Sequence, residues 1–291
     1  MFLNHFGLQA YPFSLAPDPA FFYPAERARA VLDGVAFALA RGDGVVKVVG
    51  EVGSGKTLLC RCLLERLKTE PINIAYVPVP LGISPANLAL TVASAFGCRV
   101  PKGGDALAIL EKRLRAQHTK KRRNVLVVDE AQALGAAGLE AIRLLSNLET
   151  SRDKLLQLVL FGQQELDLLL ATHGLRQMAQ RITFGLATEP LPDDAVKDYV
   201  RFRLARCAKP GTWTGGLFTE SALGALTRAS RGLPRLVHTL ADKALIAAYA
   251  DKSPQVLPRH VRAAAREVRG VPRGVGLLGR LVRLIVRVGR R

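Results

Sequence analysis

Acidic residues are scarce in this sequence: 24 Asp and Glu face 42 Lys and Arg, giving a net charge of +18. A balance so basic argues against acidic partners and favours polyanions, either nucleic acid or an anionic membrane face. Half of the excess lies at one end. From Arg259 onward, ten arginines stand against Glu267 alone, a local charge of +9. Cysteine is scarce too, with four residues (60, 62, 98 and 207), no CxxC and no metal spacing. That excludes a disulfide framework or a zinc site and leaves reduced, mostly buried thiols. Cys60 and Cys62, two positions apart on a helix, face different sides. No run of eighteen apolar residues exists to span a bilayer. The basic start and apolar core of a signal peptide are lacking as well. The expected setting is therefore cytoplasmic. No internal repeat is visible, and a composition 49% hydrophobic and 23% charged is that of an ordinary globular protein. With 291 residues the chain can bury a sizeable core in one large domain or two.

What is present is organised around Gly50-Glu51-Val52-Gly53-Ser54-Gly55-Lys56-Thr57, which fits G-x-x-x-x-G-K-[ST], the P-loop pattern. Glycine lets the chain turn tightly enough for its N–H groups to converge on phosphates. Lys56 sets a cation against the β and γ phosphates, and the Thr57 hydroxyl offers an oxygen to Mg²⁺. A helix starting here, through Leu58 to Leu67, points its positive end at the anion. The β-branched run Val45–Val49 before it reads as a buried parallel strand. The nucleotide-binding candidates are thus Gly50 through Leu58, with a nucleoside triphosphate and Mg²⁺ as ligands. The loop reads phosphates and leaves the base open.

The next strand is expected over Ile72–Val77, followed by helices near Pro85–Phe96 and Asp105–Ala116. The second of these carries Leu107, Leu110 and Leu114 on one face. Asn124–Val128 then ends in Asp129-Glu130, the Walker B pattern, at the carboxyl end where open α/β sheets bind ligand. Asp129 would hold the Mg²⁺. Glu130 would polarise the attacking water as general base. A helix with Leu139, Ile142, Leu145 and Leu148 leads to a strand over Leu155–Phe161. Gln163 follows it, read either as a sensor of the γ-phosphate or as a solvated loop residue. A last strand is expected over Phe184–Thr188, after Arg176 and Arg181.

Pro190-Leu191-Pro192 marks a boundary, because prolines forbid a continuing helix. Beyond it the pattern is helical: Asp193–Cys207, Thr219–Ser230, Pro234–Ala250 and Pro258–Val268. At the other end, Met1–Pro24 is rich in aromatics and prolines. It reads as an arm packed on the body, with Phe22 or Tyr23 available to stack on a base. A helix from Glu26 to Arg41 follows. The segments are an arm (1–24), an α/β core (25–190), a helical lid (191–268) and a basic tail (269–291). In the tail, Arg280, Arg283 and Arg287 share a helical face against Leu277, Leu281, Leu284 and Ile285. It reads as an amphipathic helix on an anionic membrane, or equally as a solvated segment. Lys120–Arg123 reads as a solvated turn at the far end of the sheet.

Together these features resemble an AAA+ ATPase. Phe6-Gly7-Leu8, Pro12-Phe13, Pro17-Asp18-Pro19 and Phe21-Phe22-Tyr23 look like the opening of the ExeA/GspA secretion ATPases. So do Gly50–Cys60, Val128–Leu134, Leu158–Gln163 and Gln180-Arg181-Ile182. Gly44–Arg61, Ala229–Val237 and His260–Arg266 are similar to the MshM-type ATPases of MSHA (type IV) pilus biogenesis. The resemblance covers roughly residues 1–268 and implies an α/β P-loop NTPase (AAA+) fold, a parallel sheet flanked by helices with a C-terminal all-helical lid. It implies an arginine finger at Arg181 serving a neighbour's γ-phosphate, hence an ATP-dependent oligomer, with Arg176 as competitor. It implies a sensor 2 arginine at Arg235 within Gly232-Leu233-Pro234-Arg235. The function implied is ATP hydrolysis supporting pilus or type II secretion-like assembly, peripherally at the inner membrane. Gln164 departs from the family's proline, and the relatives' membrane span and peptidoglycan-binding domain have no counterpart here. The charge keeps a second reading open, a DNA-binding regulatory ATPase of the TnsC/MuB type. A third is a nucleotide-gated scaffold with little turnover.

Overall fold

The computed structural model describes residues 2–42, 44–80, 82–149, 154–212 and 214–268. The readings of the tail beyond 268 lie outside them. The chain divides into two compact units, Ala16–Pro190 and a second that joins Met1–Leu15 to the chain from Leu191 onward.

The first unit is built on strands β1 (Val45–Gly50), β2 (Ile72–Pro78), β3 (Arg123–Asp129), β4 (Gln157–Gly162) and β5 (Ile182–Thr188). They form one sheet in the order β2-β3-β4-β1-β5, every pairing parallel. Successive side chains of a strand point to opposite faces, so unbroken apolar runs mean both faces are covered. That is what the packing shows. Val46, Val48, Val125, Val127, Val159 and Phe161 pack with Val35, Leu39, Leu59 and Leu63 of helices Glu26–Arg41 and Lys56–Leu67. Their neighbours Leu126, Val128, Leu158 and Leu160 pack on the other face, with Leu88, Leu110, Leu114, Leu139 and Ile142. Those belong to helices Pro85–Ala95, Ala106–Thr119 and Gly135–Leu145.

Two leucines depart from expectation. Helix Ala106–Thr119 starts one residue after Asp105, whose carboxylate accepts the N–H groups of Leu107 and Ala108. Leu107 therefore sits in the first turn and is exposed, while Leu110 and Leu114 are buried. Leu148 lies beyond the helix end at Leu145 and touches the core from the following turn. Likewise Leu155 and Leu156 precede β4, which begins at Gln157, and β5 starts two residues earlier than expected, at Ile182.

The amino ends of the strands are sewn by polar side chains. The Asn124 amide donates to Leu114 O at 3.1 Å and Leu155 O at 2.9 Å and accepts from Asn73 at 2.8 Å. Arg123 and Gln157 both donate to Leu39 O, near the end of helix Glu26–Arg41. Arg123 thus belongs to β3 itself, and only Lys120–Arg122 form the exposed turn.

The second unit holds helices Asp193–Cys207, Glu220–Ser230, Pro234–Ala250 and Pro258–Glu267. Thr219 accepts the Ala222 N–H at 3.2 Å, and Pro234 and Pro258 stand in first turns. The opening segment is divided rather than a single arm, and residues up to Leu15 are woven into these helices. Gln9 N donates to Cys207 O at 2.8 Å, Lys209 N to Gly7 O at 2.9 Å and the buried Arg203 guanidinium to Pro12 O at 2.6 Å. His238 donates through Nδ1 to Ser14 O at 3.0 Å, which leaves Nε2 to accept the Tyr199 hydroxyl at 2.5 Å. The later part, Pro17–Tyr23, belongs to the sheet unit. There Phe22, partly buried, packs against the core.

Burial and the Arg203 charge push His238 down to about 4 from its ordinary 6.5. The unfolded chain therefore binds a proton that the folded unit refuses. Stability falls as pH drops below about 6.5 and the loss is complete below about 4, amounting to about 3 kcal/mol. Urea unfolding from pH 7 to 4.5 should show this limb, and His238→Phe, which has no proton to gain, should flatten it. An identical profile in the variant would refute the assignment.

Candidate functional site

The carboxyl ends of β3, β4 and β1 lie side by side in the sheet, and the residues singled out by motif converge there. The P-loop leaves β1 at Gly50, which pairs with Thr188 of β5. That approach admits no side chain: a Cβ on Gly50 would sit 1.8 Å from Thr188 Oγ1 and 3.0 Å from Thr188 O. The Thr188 hydroxyl is 2.7 Å from Ser54 Oγ, so β5 fastens the far side of the loop. Gly53 and Gly55 have φ of 84° and 95°, the left-handed region in which glycine is unstrained. From Gly55 the chain enters the helix at Lys56. Glu51 and Val52 are exposed at the loop's crest, and Leu58 is half-buried in the first turn.

Lys56 is 5% exposed and folds back over the loop, donating to Gly50 O at 2.9 Å and Glu51 O at 2.8 Å. Burial draws its ammonium below the usual lysine range, opposed by the charges of Glu130 and Asp129. Asp129, 3% exposed at the end of β3, is pushed upward by burial. Hydrogen bonds from the Glu130 N–H, at 3.0 Å, and from the Thr57 side chain pull it back toward the ionised form. The Tyr76 hydroxyl approaches Asp129 Oδ2 at 3.5 Å, its own pKa pushed up to about 12 by burial and by that carboxylate.

Glu130 adopts φ 56°, ψ 41°, a left-handed conformation that a non-glycine residue rarely takes. Its Oε2 accepts from Gln132 Nε2 at 2.5 Å and Gln163 Nε2 at 2.9 Å. The Gln163 N–H donates to Gln132 Oε1 at 3.0 Å. Gln163 is thus a bonded member of the cluster, not a solvated loop residue. Sequence reading missed Gln132, Thr188 and Tyr76. Gln132 lies in the same Asp-Glu-Ala-Gln run as the two acids, but nothing in the spacing shows where its amide turns. Thr188 is far from the loop in sequence, and only the β1–β5 register brings it there.

Arg181 ends helix Arg176–Arg181, immediately before β5, and donates to Ser146 O at 3.3 Å and Ser146 Oγ at 3.2 Å. β5 runs seven residues from there to Thr188, beside the P-loop. At about 3.3 Å per residue, Arg181 stands roughly 20 Å from its own nucleotide loop. Arg176 opens the same helix and is exposed. Arg235 is exposed in the first turn of helix Pro234–Ala250, in the other unit. The Gly232 before it has φ 74°, and a Cβ there would meet Leu191 O at 2.1 Å.

The residues present fit a magnesium–triphosphate. A buried cation now rests on loop carbonyls, and a hydroxyl and a carboxylate lie bonded to one another beside it. Among the described residues no cluster of three or more His, Cys, Asp or Glu forms a separate metal site, and no helix is long and apolar enough to cross a membrane.

Residues 40–170 match the family described as AAA domain. General secretion pathway protein A of Aeromonas hydrophila is 41% identical over 278 residues, covering 93% of this chain and 49% of that protein. The chain thus spans about half the length of that curated relative. Among solved structures, ORC2 of Aeropyrum pernix aligns with a TM-score of 0.68 at 18% identity, covering 91% of this chain and 73% of that one. Cdc6p of Pyrobaculum aerophilum gives 0.66 at 19%, covering 86% and 71%. The Thermotoga maritima RuvB Holliday junction branch migration motor gives 0.59 at 19%, covering 96% and 81%. At such identities the likeness is one of fold.

Gly50→Ala should drive a methyl into Thr188, costing on the order of 1–3 kcal/mol of stability by overpacking. It should also abolish affinity for a fluorescent ATP analogue. Adding Thr188→Ala should recover part of the melting temperature, because the nearest of the three crowding groups is then gone while Ser54 Oγ and the Thr188 carbonyl remain. Wild-type stability and affinity in the single variant would contradict the packing described.

Proposed function

This chain carries an AAA domain in an AAA+ P-loop fold and is similar to a secretion-pathway protein; on that premise we propose that it binds and hydrolyses ATP. The observation that carries the proposal is the meeting of Lys56, Thr57, Asp129, Glu130 and Gln163 at the carboxyl ends of three adjacent strands. Lys56 exchanges two loop carbonyls for the β- and γ-phosphate oxygens. Thr57 and Asp129 would hold a magnesium ion, which when bound neutralises phosphate charge. Glu130 takes the proton of the attacking water as its oxygen bonds to the γ-phosphorus, and the bond to the bridging oxygen of the ADP leaving group breaks. Gln163 is placed to exchange its Glu130 contact for the γ-phosphate.

Arg181 is too distant to serve its own loop, which supports a role on a neighbour's γ-phosphate and hence an ATP-dependent oligomer. A trans arginine stabilises charge that grows only in the transition state. Arg235 is proposed as the phosphate-contacting arginine of the helical unit. The biological setting we favour is type IV (MSHA-like) pilus or type II secretion-like assembly at the cytoplasmic face of the inner membrane. The identity to general secretion pathway protein A supports it. A second reading rests on charge: helix Pro258–Glu267 buries His260, Val261 and Ala264 and exposes Arg259, Arg262 and Arg266. That face suits DNA as well as an anionic membrane.

Lys56→Ala should abolish ATP binding, whereas Glu130→Gln should bind normally and lose turnover by on the order of 10²–10⁴-fold. Arg181→Ala should bind yet lose turnover by about 10³-fold or more. Mixing Arg181→Ala with Lys56→Ala should restore part of it, because each variant keeps what the other lacks. No affinity of the wild-type protein for ATP at millimolar magnesium would sink the proposal. Titrating the ATPase with duplex DNA and with anionic liposomes at two salt concentrations decides between the partners. Salt-sensitive stimulation by DNA would select the second reading.

A further inference from the structure

Gln132 has no role in the mechanism above, yet it makes two of the three hydrogen bonds that join Glu130 to the end of β4. It stands in the short helical turn Ala131–Leu134 that follows Glu130. Its amide is used at both ends. Nε2 donates to Glu130 Oε2 at 2.5 Å, and Oε1 accepts the Gln163 N–H at 3.0 Å. The oxygen lies close over Gly162, where an added Cβ would sit 3.3 Å from it. A primary amide bonded at both its oxygen and its nitrogen cannot rotate without breaking both contacts, so its donor direction is fixed. The acceptor is charged, and bonds to ionised groups are the strong ones.

Gln163 differs. Its side chain reaches the same Oε2, at 2.9 Å, from a residue that only precedes helix Gln164–Leu170 and makes no side-chain cap there. When its amide turns toward a γ-phosphate, Oε2 loses that donor and Gln132 keeps the other. Glu130 itself sits on a strained left-handed backbone with φ 56°, which does little to fix its carboxylate.

We propose that Gln132 is a positioning residue for ATP hydrolysis: it holds Glu130 Oε2 through the cycle, so that Oε1 faces the water while Gln163 moves between Glu130 and phosphate. This rests on the assignment of Glu130 as general base. It adds a residue that touches neither nucleotide nor water and acts only through that carboxylate. A 1 Å misplacement of a catalytic group is enough for a loss on the order of 10²-fold.

The test uses the full chain with Gln132→Met, which keeps the length and loses both hydrogen bonds, and Gln132→Ala. Steady-state ATPase assays give kcat and KM, and a methylanthraniloyl-ATP titration gives affinity. Both variants should keep affinity and KM within about threefold while kcat falls by about 10- to 100-fold. On a Glu130→Gln background, Gln132→Met should bring no further loss, because the group it positions no longer functions. A kcat within twofold of wild type, a parallel loss of affinity and melting temperature, or a further loss on the Glu130→Gln background would each overturn the proposal. Glu130→Gln turning over like the wild type would instead refute the general-base assignment, and this inference with it.

Discussion

A buried ammonium has to be met by oxygen, and the working end of the sheet is arranged around that demand at Lys56. Taking a lysine out of water costs several kcal/mol unless partners replace its hydration. Here two backbone carbonyls of the preceding loop supply them, at 2.8 and 2.9 Å. Those carbonyls can point inward only because Gly50, Gly53 and Gly55 take conformations and approaches closed to larger residues. The loop is in turn kept from collapsing by the Thr188–Ser54 contact with the neighbouring strand. The charges of nearby carboxylates, Glu130 and Asp129 foremost, favour the protonated amine. On the proposed function, an incoming phosphate would meet a cation already desolvated and held only by neutral groups.

The same end of the sheet balances its acids differently. Asp129 is tied to Thr57 and to backbone, an arrangement suited to a fixed ligand. Glu130, one residue on, accepts hydrogen bonds from two side-chain amides instead. On the proposed function these adjacent carboxylates would take separate duties, Asp129 toward the magnesium ion and Glu130 toward the proton of the attacking water.

Much of this was legible in the chain. β1, β3 and the P-loop declare themselves because the β-branched runs are short and bounded by glycine or acid. Helices Asp193–Cys207 and Pro234–Ala250 are bounded where prolines and first-turn residues place them. What stayed hidden depends on register or on rotamers. Lys47, in the middle of β1, reaches Asp167 of helix Gln164–Leu170, a partner that no local pattern names. Leu107 read as core by its spacing, but one residue of helix start moved it into solvent. Gln132 was written beside the two acids, yet its importance comes from a bond to a residue 31 positions away. Pairing across that distance is a property of the β3–β4 alignment.

The helical unit is drawn from both ends of the chain, and the sheet unit is spliced between Leu15 and Leu191. Leu8, Phe13 and the carbonyls of Pro12 and Ser14 are components of a domain whose helices begin some 180 residues later. A fragment starting at Leu191 would expose the seats of those side chains and strand the Arg203 guanidinium without its carbonyl. Excising this domain for study therefore calls for a permuted gene that rejoins its opening fifteen residues to the rest. During synthesis, too, its first strip must wait, unassembled, until the ribosome has delivered the whole nucleotide-binding half.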